Sequence, residues 1–194
     1  MIGTRDLEKS ELQQCTCETP GAKVGSFEEA ARFGEMILPV TLGRAAESAI
    51  DQAGPANFAG KTLIDATNPL TDAPPVNGVL QYFTRPNESL GERIQARLPG
   101  AHVVKAFNSV GNTRMINPQY APGVPTMFLC GHSEEAKSQV SEVIRQFGWG
   151  AFRLRKHHLR ARDRTTLHVV VHSWLLEKPM DAFVQDADPI RKGA

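Results

Sequence analysis

The chain has 194 residues, a length suited to one domain with a substantial core. Its 41% hydrophobic and 22% charged content are those of a soluble globular protein, and a net charge of +1 gives no overall argument for a nucleic-acid or membrane partner. No run is long enough to span a bilayer and no secretory pattern is present, so the expected location is cytoplasmic.

The opening "MIGTRDLEKSELQ" reads as a short strand followed at once by Thr4-Arg5, with Lys9 four residues beyond Arg5. A hydroxyl, a guanidinium fork and an ammonium at the end of a strand can together hold a ribose 2′-phosphate, the group that separates NADP from NAD. A solvated helix start explains the same residues, and from them alone it is the stronger reading. Cys15 and Cys17 are two apart, a spacing that fits no common zinc or redox motif. With Cys130 they read as reduced thiols.

Further along, short apolar runs predict strands at 22–24, 36–41, 62–66, 102–107 and 126–130. Most are continuous rather than alternating, as in a parallel sheet covered on both faces. Helices are predicted between them at 27–33, 44–53, 89–98 and 133–147. Ser26 caps the first with Glu29 at the reciprocal position, and Gly34 stops it. Gly54-Pro55 and Pro99-Gly100 end the second and third. Ser133 caps the fourth, with Glu134 and Glu135 at the positive end of its dipole. Alternating strand and helix predicts a doubly wound parallel α/β sheet through residue 150.

Two of these strands deliver polar residues at their carboxyl ends, where ligands bind in this class of sheet. "LIDATNPLTD" runs a buried strand into Asn68-Pro69, and Pro69 ends it because it has no N–H and forces Asn68 to be extended. "VVKAFNSVG" delivers Asn108 and Ser109. With Pro39-Val40-Thr41 after the preceding strand, three strand ends are expected to converge on one crevice. A plain strand-to-loop turn is the alternative at each taken singly. No G-x-G-x-x-G occurs anywhere in the chain, so no glycine-rich cradle for a pyrophosphate is evident.

After Gly150 the character changes. "RLRKHHLRARDR" holds six basic residues against one Asp, and residues 151–194 carry a net charge of +4. Without interleaved aromatics this segment reads as solvated rather than as a nucleic-acid interface. His168 and His172 could share a helix face, but no further ligand is spaced to complete a metal site.

Taken together, "IGTRD", "AKVGSFEEAARFG", "LIDATNPLTD", "GERIQARLPGAHVVKAFNSVG" and "PTMFLCG" with the helix after it resemble one family. It is the family of NADPH-dependent oxidoreductases that includes the reductases of coenzyme F-420, an 8-hydroxy-5-deazaflavin. The resemblance runs from Ile2 to about Gly150 and implies a Rossmann-type domain. By it, Thr4, Arg5 and Lys9 would bind the NADP 2′-phosphate. Pro39, Val40, Asn68 and Pro69 would line the nicotinamide side of the crevice, with Ala106 to Asn108 nearby. Hydride would pass between NADPH and a deazaflavin, or another acceptor such as a flavin, quinone or metal chelate. The implied partners are small molecules and a second copy of the chain in a homo-oligomer, with no nucleic acid or membrane.

The chain departs from this family at both ends. Members begin with a strand, a glycine loop and a helix ahead of the equivalent of Ile2, and that strand is central in the 3-2-1-4-5-6 order. The expectation is therefore an incomplete domain at 1–150, truncated at its N-terminus, followed by a basic, non-native tail at 151–194. A one-base shift over residues 152–189, with codons chosen freely, can recover a family-like apolar helix. A non-catalytic remnant that binds no cofactor is the rival expectation.

Overall fold

The computed structural model describes residues 1–121 and 123–154. Beyond Leu154, the tail and the pair His168 and His172 lie outside the described residues. The elements in chain order are β1 (Ile2–Thr4), α1 (Ser10–Glu18), β2 (Val24–Ser26), α2 (Phe27–Phe33), β3 (Met36–Ile37) and α3 (Gly43–Ala53). They continue with β4 (Thr62–Asp65), α4 (Leu90–Arg97), β5 (His102–Lys105), β6 (Thr126–Gly131), α5 (Glu134–Gln146) and β7 (Gly150–Arg153).

The architecture is mixed α/β with a parallel-dominated sheet of five strands in the order β3-β4-β5-β6-β7, flanked by helices. In β4 and β5 neighbouring residues point to opposite faces, so Leu63 and Val103 pack with α2, α3 and α4 while Ile64 and Val104 pack with α5. Each helix buries one stripe: Ala46, Ile50 and Ala53 on α3, Leu90 and Ile94 on α4, and Ala136, Val140 and Ile144 on α5. Both sheet faces are thus covered, which is why the strands read as unbroken apolar runs.

The helix boundaries follow local chemistry. Ser26 and Glu29 form a reciprocal capping box on α2, and Ser89 and Glu92 do the same on α4. The Ser133 hydroxyl accepts from the Ala136 N–H at the start of α5.

The structure departs from expectation in four places. The strand foreseen at 36–41 is only Met36–Ile37, because Pro39 offers no N–H to a ladder. The run foreseen at 22–24 pairs instead as Val24–Ser26. The sheet does not stop at residue 150, since β7 lies parallel to β6 with Phe128 opposite Phe152. Among its described residues the segment after β5 contains one 3-10 turn, Asn112–Arg114, and no crossover helix, so β6 enters from the opposite end and runs antiparallel to β5.

The strands are also divided between two sheets. β1 and β2 form a separate parallel ladder of three residue pairs, and no ladder joins β1 to β3. Helix α2 links the two, packing on β1 and β2 while Ala31 enters the core shared with α3, α4 and β4.

Candidate functional site

Three strand ends converge around Asn68. At the end of β4, Asp65 is wholly buried, and its Oδ1 accepts from both the N–H (2.9 Å) and the hydroxyl (2.6 Å) of Thr67. Its Oδ2 faces Lys105 Nζ at 3.1 Å, and the same ammonium donates to the Thr67 carbonyl. Asp65 and Lys105 are Cα partners in the parallel ladder, so strand register alone brings them together. The chain then turns out of the sheet. Leu70 N–H bonds the Asn68 carbonyl at 2.9 Å, a γ-turn centred on Pro69.

The Asn68 side-chain amide donates to the Asn108 carbonyl at 2.8 Å. In return the Asn108 amide points at Asn68 Oδ1 at 3.5 Å. Asn108 reaches this position because Phe107 adopts a left-handed backbone with φ 63°, although its side chain is 2% exposed and packed in the core. Holding a bulky residue there costs on the order of 1–3 kcal/mol, and such strain concentrates at functional sites. The N–H of Ala106, itself buried, bonds the Asp65 carbonyl at 3.1 Å and keeps β4 and β5 in register to their ends.

The third wall is the connection from β3 to α3. Pro39 is half-buried, whereas Val40 is 88% exposed. Thr41 Oγ1 is buried and has no hydrogen-bond partner among the described residues. Gly43 begins α3 so close to β4 that any Cβ there would overlap the Asn68 carbonyl. Arg44, one residue into the helix, pairs with Asp72 in the segment beyond Pro69. That segment folds back as a hairpin with an Asn77-Gly78 turn, both residues at positive φ.

The structure therefore brings Asn108 and, at Gly43, the end of the β3–α3 connection against Asn68, with Pro69 next in the chain and Ala106 bonded to Asp65; Pro39 and Val40 lie earlier in that connection. It places Thr4 at the end of β1 in the other sheet, with Arg5 and Lys9 in the turn that follows. There the Thr4 hydroxyl accepts from the Asp6 N–H at 3.1 Å and Asp6 accepts from the Glu8 N–H at 3.0 Å, a capped turn leading to α1. Arg5 and Lys9 are exposed on it. No hydrogen bond or ion pair links these three residues to Asn68 or Asn108 among the described residues.

Sequence reasoning missed Asp65, Thr67, Lys105 and Gly43. The available signal was a charged residue closing each of two apolar strands, "LID" and "VVK". Cys130 lies opposite Lys105 across the ladder, and burial pushes its thiol up, against the opposing pull of the Lys105 charge. No cluster of three or more His, Cys, Asp or Glu among the described residues could hold a metal ion. None of the described helices is long and apolar enough to cross a membrane.

No protein-family profile matches the chain. Among solved structures, it is similar to a candidate F-420-dependent NADP reductase of Arthrobacter sp. FB24. That match has 28% identity and a TM-score of 0.75, covering 90% of this chain and 80% of that one. A hypothetical protein of Sinorhizobium meliloti superposes with a TM-score of 0.62 at 21% identity, over 75% of this chain and 68% of that one. An imine reductase of Aspergillus terreus, solved with a form of NADPH, gives 0.56 at 16% identity, over 86% of this chain and half of the other. The fold is that of Rossmann-like reductases.

Proposed function

We propose that the chain is an NADP-linked oxidoreductase, passing hydride between NADPH and a planar acceptor of the deazaflavin kind, coenzyme F-420 foremost. The observation that carries this reading is the Asn68–Asn108 amide pair, held at three converging strand ends beneath a strained Phe107. Carboxyl ends of strands in such sheets are where dinucleotides bind. The likeness to the Arthrobacter protein supports the choice of cofactor and acceptor.

The residues fit NADP in part. Two side-chain amides and the buried, unpartnered Thr41 hydroxyl offer polar partners for a carboxamide and a ribose. Arg5 and Lys9 supply positive charge for a 2′-phosphate at the carboxyl end of β1. When bound, the nicotinamide supplies the hydride; the chain's own task is to orient it, with Pro39, Val40 and Pro69 as the apolar lining of that side. Nothing in the described residues offers a glycine-rich turn for the pyrophosphate. Each charge-assisted bond to phosphate contributes roughly 1.5–3 kcal/mol. A deficit of about 4 kcal/mol weakens binding about a thousandfold. In this reading the partners are small molecules in the cytoplasm and a second copy of the chain.

A second reading, a fold remnant that binds no cofactor, is favoured by the division of the strands between two sheets. Calorimetric titration of the chain with NADPH and NADH separates them. The enzyme reading expects weak binding that prefers NADPH, with the preference erased by Arg5→Ala, and bleaching of the F-420 chromophore when NADPH is present. Heat of dilution alone up to millimolar NADPH supports the remnant.

A further inference from the structure

We propose that Asp65 and Lys105 are positioning residues: their buried ion pair fixes the direction of the Asn68 and Asn108 amides at the crevice. This inference rests on the functional reading above. A carboxylate with no exposure is costly to bury unless it is paired and its lone pairs are used. Asp65 meets that condition with three hydrogen bonds, two of them from Thr67 and one from Lys105.

The arrangement converges on one residue. Thr67 has its N–H and its hydroxyl bonded to Asp65 and its carbonyl bonded to Lys105, so all three of its polar groups are held. Thr67 directly precedes Asn68. With Gly43 close to the Asn68 carbonyl and the Asn108 carbonyl taking its amide, Asn68 is held at both its backbone and its side chain.

Stability does not require this device. An apolar pair of similar volume at two buried strand ends is commonly as stable as the ion pair or more so. The neighbouring pair Ile64 and Val104 shows that the ladder accepts aliphatic partners one residue earlier. What charges give that aliphatics cannot is a directed grip on a backbone carbonyl and N–H, and the Lys105 side chain keeps 17% exposure there.

The test compares the wild type with Lys105→Met and with the double variant Asp65→Asn/Lys105→Met, which leaves no orphaned charge. Hydrogen exchange of the Asn68 side-chain amide, followed by NMR, reads the positioning without any cofactor. In the wild type this amide should exchange at least about tenfold more slowly than that of exposed Asn87, as expected for a held hydrogen bond. In the double variant the protection should vanish while the backbone amides of Leu63 and Val104 stay protected. A double variant that keeps the Asn68 protection overturns the inference. So does one that fails to fold, because the pair then serves the fold rather than the amides. Where the wild type binds NADPH, the double variant should bind it about tenfold more weakly with its melting temperature unchanged. Absence of NADPH binding in all variants counts against the functional reading alone, since the exchange measurement stands without it.

Discussion

Gly43 leaves less room for a side chain than any other glycine among the described residues. A methyl group there would overlap the Asn68 carbonyl and press on Leu90 as well. Helix α3 or the β4 turn would have to move, and overpacking of this kind typically costs about 1–3 kcal/mol. Gly43→Ala should therefore lower the urea midpoint and at the same time release the Asn68 side-chain amide. An alanine variant with unchanged midpoint and unchanged amide would show that the two elements are not in close contact. The turn at Asn68 was legible in the sequence, because Pro69 offers no N–H to a ladder and so closes the strand. Asp65 and Lys105 were not: a lone charge closing an apolar run reads as the solvated end of a strand. Only the ladder register shows that the two charges face each other, with the carboxylate fully buried.

At the scale of elements, the clearest signals were the caps, and α2 shows how they act. The Glu29 carboxylate accepts the Ser26 backbone N–H at 2.7 Å, and the Ser26 hydroxyl accepts the Glu29 N–H. The bond to the Ser26 backbone, then that to its side chain, hold the Glu29 carboxyl below its ordinary value of 4.5. A depressed carboxyl pKa stabilises the folded state above the ordinary value, and the contribution is lost as pH falls through the depressed one. The amide shift of Ser26 should accordingly titrate with a midpoint below 4.5, and α2 should fray from its first turn as that midpoint is passed. A midpoint at or above 4.5 would mean the capping box does not persist in solution. Strand β7 escaped the sequence reading, and of helix α1 only a start near Thr4-Arg5 was read, ahead of its first residue Ser10. Neither "SELQQCTCE" nor "GAFR" carries a periodic apolar stripe, and β7 takes its form from β6 and α5, on which it leans. Arg153, for instance, is tied to Ser141 and Ser138 of α5.

For the whole molecule, fold class was readable from the alternation of runs and helices, whereas the division into two sheets was not, because strand order depends on contacts distant in sequence. The β1–β2 ladder has three residue pairs and rests on α2 alone among the helices with extensive strand contacts there. Two-stranded sheets of that size are marginal by themselves. Backbone amides of Ile2, Thr4 and Gly25 should exchange through a local opening at least about a hundredfold faster than those of Leu63 and Val104 in the larger sheet. Equal protection across both sheets would mean that they open as one unit. The same ladder has a consequence in concentrated solution. Ile2 turns its N–H toward β2, bonding the Lys23 carbonyl, so in a parallel strand the N–H and carbonyl of Gly3 face the other way. Among the described residues no strand meets them. The outer edge of β1 at Gly3, beside the exposed side chain of Met1, is thus a strand margin of the kind on which another extended chain can pair.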